Sequence, residues 1–542
     1  MGSSVRALGG SVLVLAAIAV WTGAATAQPR PLPAPAPAAD DALGNALAEG
    51  ELTEAEYALE RARSLFRLGA VRREFGDVER LDGRDATLIL RDLAVRLREL
   101  SGTERRQAER LLARPGDGDV QVGNGWHPGA EPDVSCTDEM CFHWVTTTPD
   151  APTDPSYPGR VQDTFEHVWD HEIEALGYRE PLPDFAKGGN DRLDIYLDNL
   201  GADGIFGYCA PDTDYLLHFP RDFAVPVYCV VDNDYVAAQY GPPPGNPPDP
   251  DGFLKVTAAH EFFHAVQGAY DFWEDGWLVE GSATNMEETV YPLVDDNIFY
   301  LRSFSPLKRP ASPLDRAGFG DSEYGSWIFW RFLEEKVYGG DPNVIRRVWQ
   351  RAAWAFGPDE YSIQAVAKVL RANGRRLTDE FLRFGEVNRR RAYLDGSRYP
   401  RTPTHRSFRL GSSKRNTGWQ ARRLNHLTTQ YIAFRPRRRG VSRRALLRVN
   451  VRVKHGGRAS LIVYRTNGTV SVRRFRIDAR GSGSRRVAFG RGKVRRVDLV
   501  LSNGSARMRD CFSDLFFPPF YSCSGVPRDD RRTYRFQAIL RR

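Results

Sequence analysis

Residues 260–264 read HEFFH. An α-helix turns about 100° per residue, so residues four apart stand about 40° apart and about 6 Å along the axis. His260 and His264 therefore project from one helical face and can share a metal ion. Glu261 stands about 100° round, within reach of a water on that ion. Chance alone gives this spacing in about one per cent of chains of this composition, and the bland alternative is a pair of packed or solvated helix histidines. The next segment favours the metal. A turn region, GAYDFWEDG (268–276), leads into WLVEGSATNMEE (277–288). A catalytic zinc takes three protein ligands. Glu280 lies on a second helix that can fold back beside the first, and it is the best third ligand. Glu287, two helical turns beyond Glu280 and on its face, is a candidate to orient a ligating histidine, with Glu288 as its competitor.

The chain has 542 residues, enough for two to four domains and a large core. Its N-terminus has the pattern of an export signal. Arg6 precedes the apolar run SVLVLAAIAVW (11–21), too short to span a bilayer comfortably, and ATA (25–27) is a small-residue cleavage site. The expected mature protein is secreted and carries no integral membrane span; a short membrane anchor is the competing reading. Six cysteines suit an oxidising destination. They fall in close pairs, Cys136/Cys141, Cys209/Cys229 and Cys511/Cys523, and the local pairing is expected because each pair closes a short loop. The formal charge is +7, with arginine dense after about Arg389. No nucleic-acid motif accompanies that basic end, so a solvated arginine-rich surface is expected and no nucleic-acid partner.

Residues 28–50 form a Pro/Ala-rich linker, and 51–118 a helical N-terminal region that could serve as a pro-segment. Within it Leu52, Ala55, Leu59, Ala62 and Phe66 share one helical side, as do Ile89, Leu90, Leu93, Leu97 and Leu100. Residues 119–401 mix strands (142–147, 192–197, 226–231) with a helix at 161–178 and a helical run from about 253. GPPPGNPPDPDG (241–252) is expected to be a loop because of its prolines. After TPTHRSFRLGSS (402–413) the period becomes two, in strands expected at 429–436, 445–455, 459–466, 469–477, 485–490, 495–503 and 534–540, which predicts an antiparallel β-sandwich domain over 402–542.

HEFFHAVQ followed by WLVEGSA resembles the gluzincin zinc peptidases, and the second segment is particularly similar to the WLxEGxA stretch of the aminopeptidase-N family. The longer run from CFHWVTT to EYGSWIFWRFLEEKVYG is similar to secreted bacterial putative metalloproteases. A metzincin reading fails, since it needs Gly and His where this chain has Gln267 and Tyr270. The resemblance implies that Glu280 is a zinc ligand and that Tyr324, in EYGSWIFWRFLEE, donates to the oxyanion of a tetrahedral intermediate. It also implies an edge strand that pairs with substrate backbone; GIFGYCA (204–210) is the candidate, an interior strand or loop the alternative. The GxMEN motif that anchors a free amino terminus in the aminopeptidase-N family is missing, which favours endopeptidase activity.

The expected fold class is α+β: a gluzincin-like metallopeptidase unit with mixed sheet and helical subdomain, a helical N-terminal region and a C-terminal antiparallel β-sandwich. The expected function is zinc-dependent hydrolysis of protein or peptide substrates, with one Zn2+ on His260, His264 and Glu280 and with Glu261 as general base; no residue is assigned to any other cofactor. Competing readings are an inactive metalloprotease-like binding or cell-surface protein and a zinc hydrolase acting on a non-peptide substrate. The sandwich is a candidate for cell-surface or glycan contact. His167 and His171 are expected on a solvated helix face, DNDY (232–235) in a turn rather than a calcium loop, and His143 in a buried strand.

Overall fold

Between residues 132 and 232 the runs richest in β-branched and aromatic residues pair into one sheet: β1 (Pro132–Cys136), β2 (Met140–Val145), β3 (Leu193–Asp198), β4 (Gly207–Pro211) and β5 (Val227–Asp232), in the order β1-β2-β3-β5-β4. β2, β3 and β5 run parallel, while β1 and β4 pair antiparallel to β2 and β5. β3 and β5 are buried at every residue, as parallel strands covered on both faces should be. The structure is a computed structural model that describes residues 41–81, 83–117, 124–219, 222–236, 238–240, 249–316, 322–353, 360–437, 440–511 and 521–541. The proposed leader (1–27) and the proline-rich 28–40 and 241–248 lie outside them.

All three local cysteine pairs are disulfides. Cys136–Cys141 and Cys209–Cys229 join residues directly opposite each other in antiparallel pairs, which is why pairing by proximity works. Among the described residues, no helix is long and apolar enough to cross a membrane.

The N-terminal region folds as α1 (Ala42–Glu49), α2 (Glu54–Phe75), α3 (Ala86–Arg96) and α4 (Gly102–Leu111). The expected linker thus ends before residue 50: Asp41 caps α1 by accepting from the Gly44 N–H. Thr53 and Glu56 form a reciprocal capping box at the start of α2. Leu59, Ala62, Ile89, Leu90 and Leu93 enter the same core as the sheet, and α3 packs on the edge strand β4.

α5 (Tyr157–Trp169) connects β2 to β3 and ends in a π-helical turn, Asp170–Ala175. α6 (Thr213–His218) lies between β4 and β5. α7 (Pro250–Gly268) starts inside the stretch expected to be loop, because Pro250 stands in the first turn, where its missing N–H costs nothing, and Asp249 caps the helix. α7 is buried around almost its whole circumference, as befits a core helix. Its polar residues must therefore find partners inside the protein. α8 (Gly276–Val290) packs along α7, and α9 (Ser322–Gly325) and α10 (Trp327–Phe332) pack on α8. α11 (Asn343–Ala352), α12 (Ile363–Ala372) and α13 (Leu377–Arg390) complete the helical part.

The C-terminal strands are β6 (Arg406–Leu410), β7 (Gln420–Leu424), β8 (Thr428–Pro436), β9 (Leu446–Arg452), β10 (Gly457–Arg465), β11 (Val470–Arg474), β12 (Ser482–Ala488), β13 (Val494–Asn503), β14 (Met508–Arg509), β15 (Val526–Pro527) and β16 (Arg532–Arg541). Two sheets, β11-β10-β13-β8-β6 and β12-β9-β16-β7, enclose a core that includes Leu447, Val449, Leu461, Val497, Leu499 and Phe536. One pairing departs from the expected antiparallel pattern: β6 runs parallel to β8. The outer face of the first sheet is covered by α13, where Leu382 meets Tyr431, Ile462 and Val500. A buried ion pair, Arg389 to Asp498 at 2.7 Å, crosses the same junction.

Candidate metal centre

α7 and α8 bring the expected groups together. His260 Nε2 lies 3.1 Å from Glu280 Oε2, and His264 Nε2 lies 3.5 Å from the same oxygen. The two imidazole rings are 4.7 Å apart and nearly perpendicular. Ligand atoms of His260, Glu261 and His264 also fall within 4.8 Å of one another, the only such cluster of three among the described residues. Two carboxylates thus compete for the third ligand position. Glu280 is the closer fit: it faces both Nε2 atoms, it is fully buried, and its Oε1 has no hydrogen-bond partner. Glu261 Oε2 instead accepts from Thr87 Oγ1 at 3.3 Å.

The histidine tautomers follow from what lies behind the rings. Gln267 donates its Nε2 to Val279 O at 2.9 Å and Ser282 Oγ at 3.2 Å, which leaves Oε1 facing His264 Nδ1 at 2.8 Å. That nitrogen must carry the proton, so His264 Nε2 presents a lone pair and hydrogen-bonds nothing. His260 differs: Nδ1 faces Glu287 Oε1 at 2.7 Å and Nε2 faces Glu280 Oε2 at 3.1 Å, so the ring donates from both nitrogens, and a metal on Nε2 would take the place of that proton. His260 Nε2, the His264 Nε2 lone pair and the Glu280 carboxylate then converge on one buried point. That point calls for positive charge, the Nε2 proton of His260 or a metal ion in its place, and a donor set of two imidazoles and a carboxylate suits zinc.

The electrostatics express the same demand. Burial disfavours charge on His260, yet its hydrogen bonds to the Glu280 and Glu287 carboxylates hold its pKa well above the ordinary histidine value. Burial likewise opposes charge on Glu280, but His264 and His260 hold it down to about 2. Burial pushes Glu287 up to about 7 against the pull of His260. Glu261 is raised by burial, opposed by His264 and His260.

The choice between Glu287 and Glu288 is resolved by these contacts: Glu287 meets His260, while Glu288 accepts from Asn297 Nδ2 at 3.1 Å and lies 3.4 Å from Arg331. Tyr324, on α9, stacks on His260 with ring centroids 5.6 Å apart. Its hydroxyl donates to the Arg84 carbonyl of the N-terminal region. Of GIFGYCA, residues 207–210 lie in β4 at the sheet edge, while 204–206 form the turn and connection before it. Gly207 of β4 approaches so closely that a Cβ there would lie 2.8 Å from Thr257 Cγ2, 3.0 Å from Glu261 Cγ and 3.1 Å from Val230 O. If Glu261 serves as a general base, a Gly207→Ala chain that stays folded should lose up to about 100-fold in turnover through its displacement; melting and steady-state kinetics measure the two separately.

The weaker sequence signals resolve as structure. His167 packs its ring against Tyr291, and burial lowers the pKa of His171. Asp232 of DNDY accepts from the Gly201 and Tyr235 N–H groups and so holds a turn. His143 stacks on Tyr196 and meets Asp194 at 2.8 Å.

Gln267, Thr87 and Arg84 were not among the expected site residues. Gln267 is visible in principle, three positions after His264 and on its face. Loss of its acceptor in Gln267→Ala should weaken metal binding about 10–100-fold, measured by competition with a calibrated chelator. Thr87 and Arg84 carry no local signal.

No family model and no curated protein matches this chain. Two solved structures are similar over parts of it. One is the pre-peptidase C-terminal domain of a collagenase from Bacillus anthracis, 9% identical, covering 26% of this chain and 100% of that one with a TM-score of 0.15. The other is a family GH115 4-O-methyl-α-glucuronidase specific for decorated arabinogalactans, 10% identical, covering 53% of this chain and 41% of that one with a TM-score of 0.13. At such scores neither carries an argument about fold or function.

Proposed function

We propose that the chain is a secreted zinc-dependent peptidase of gluzincin type, an endopeptidase, with zinc held by His260, His264 and Glu280. The observation that carries this reading is the convergence of His260 Nε2, the unpartnered His264 Nε2 and Glu280 Oε2 on one buried point, with Glu261 beside it. Zinc there would supply an acidified water and a Lewis acid for the scissile carbonyl. Glu261 takes the proton of the attacking water and returns it to the leaving amine. Glu287 and Gln267 hold the two imidazoles in the tautomer that ligates. Tyr324 donates its hydroxyl to the developing oxyanion once the Arg84 carbonyl has left it. Three disulfides support an oxidising destination.

Residues 83–87 occupy the approach to His260 and Glu261: the Arg84 carbonyl accepts from the Tyr324 hydroxyl and Thr87 Oγ1 donates to Glu261. Catalysis therefore requires residues 83–87 to move aside. The test is digestion of a mixed peptide library read by mass spectrometry, on the intact chain and after limited proteolysis, with chelator and then with added zinc. Internal cuts that vanish with chelator and return with zinc support the reading. Loss of terminal residues one at a time would make it an exopeptidase. Silence in every arm overturns the peptidase.

A further inference from the structure

The segment that enters the cleft makes contacts resembling those of a substrate. Gly83–Asp85 forms a 3-10 turn ahead of α3. Only glycine lets it approach so closely, since a Cβ at Gly83 would lie 2.2 Å from Gly204 O. The Arg84 carbonyl accepts from Tyr324. Two residues on from the turn, Thr87 Oγ1 accepts from the Cys209 N–H of edge strand β4 at 3.0 Å and donates to Glu261. One short segment thus engages the edge strand, the general base and the oxyanion donor of the proposed peptidase.

The Arg84 side chain has an enclosure of its own. Its guanidinium lies 4.7 Å from the Phe206 ring centroid, 5.4 Å from that of Phe299 and 5.3 Å from that of Tyr300. Asp296 lines the same cleft and is under the electrostatic influence of Arg84. Tyr300 stacks on Tyr324 at 5.0 Å, and Tyr324 on His260 at 5.6 Å. A run of stacked rings therefore connects this enclosure to the metal centre. Aromatic faces and a carboxylate around one pocket recognise a cation, and flat rings suit a guanidinium best.

We propose that Phe206, Asp296, Phe299 and Tyr300 form the subsite for an arginine or lysine side chain of a peptide substrate, on the residue whose carbonyl is attacked, and that Arg84 fills this subsite as an internal stand-in. The substrate assignment rests on the peptidase reading; the cation-binding subsite does not. The stand-in is not in a cleavable form. Its backbone is turned rather than extended, and a side chain, not a peptide group, takes the β4 N–H.

Two full-length variants, Arg84→Ala and Arg84→Met, empty the enclosure, the second keeping much of the side-chain bulk. Nα-acetyl-arginine amide should bind them about 10-fold more tightly than the neutral Nα-acetyl-citrulline amide, and Asp296→Asn added to either should abolish the difference. Equal binding of the two amides overturns the subsite. The chain with Arg84 intact gives a check that needs neither variant to fold: in Asp296→Asn, backbone amides of residues 83–91 should exchange about 10-fold faster than in the unmodified chain, and unchanged exchange counts against the proposal. Library digestion then separates the two readings. Cuts following Arg and Lys, with the preference lost in Asp296→Asn, support both. Cuts without basic preference leave the peptidase and remove the subsite. Selective arginine-amide binding without any cutting leaves the subsite and removes the peptidase.

Discussion

On the peptidase reading proposed above, Glu261→Gln should retain metal and lose peptide turnover by about 1000-fold, whereas Glu280→Gln should lose both. The two changes are equally small: each replaces a carboxylate oxygen by an amide nitrogen in a buried position. They separate because the carboxylates have different neighbours. Glu280 faces the Nε2 atoms of both imidazoles, so an amide there brings a weaker donor atom or turns an N–H towards the ion. Glu261 is bonded to Thr87, and its raised pKa comes from burial, opposed by His264 and His260. Glutamine preserves that packing and has no site for the transferred proton. Metal content by elemental mass spectrometry and turnover on a cleaved peptide give the two readouts. Full metal occupancy in Glu280→Gln would mean that Glu261, already clustered with both histidines, is the third ligand, and the general base would have to be sought elsewhere.

Much of this centre was legible because its geometry is local. His260, Glu261 and His264 are fixed by the helical period, and the short 268–276 connection returns α8 alongside α7, so Glu280 and Glu287 fall at predictable places. The cysteine pairs were legible for a similar reason, each lying within one compact stretch of chain. What escaped was long-range. Thr87 meets Glu261 only because α3 lies on the edge of the sheet, a consequence of packing between segments 174 residues apart. The sandwich shows both sides of the same limit. β9 alternates buried and exposed residues and was visible as a period of two. β10 and β13 have unbroken buried runs because α13 covers their outer face, and a sheet buried on both sides loses its alternation. β6 and β7 went unnoticed: RSFRL and QARRL bury only two and one residues respectively, too few to establish a pattern. The sequence also placed a loop over Pro250 because proline was read as a breaker, where its position in the first turn makes it compatible with α7.

Stability should fall between about pH 6.5 and about pH 9, by up to about 3 kcal/mol, through one histidine far from the metal centre. His426 is buried between two carboxylates: Nε2 is 2.8 Å from Asp315 Oδ1 and Nδ1 is 2.6 Å from Asp530 Oδ1. Both ring nitrogens face acceptors, so both donate, and the ring is an imidazolium. Burial disfavours that charge, but Asp315 and Asp530 overcome it and raise the pKa from 6.5 to about 9. A folded-state pKa above the unfolded one contributes stability that is complete below the unfolded value and lost as pH rises through the folded value. The loss is felt where the sandwich meets the helical part, since Asp315 also accepts from the Ser522 N–H and hydroxyl, and Leu314 N–H donates to Leu427 O. Other buried groups titrate with the same sign, Glu288 among them, raised to about 7 by burial. The measurement is therefore a difference: melting of the unmodified chain and of His426→Gln, each from pH 5.5 to pH 9.5. The variant should be less stable by about 3 kcal/mol at the acid end, where it strands a buried Asp315. The two curves should converge towards pH 9 as the histidine gives up its proton. Parallel curves across the whole range would mean that His426 is neutral in the folded protein and that the junction is held by its packing alone.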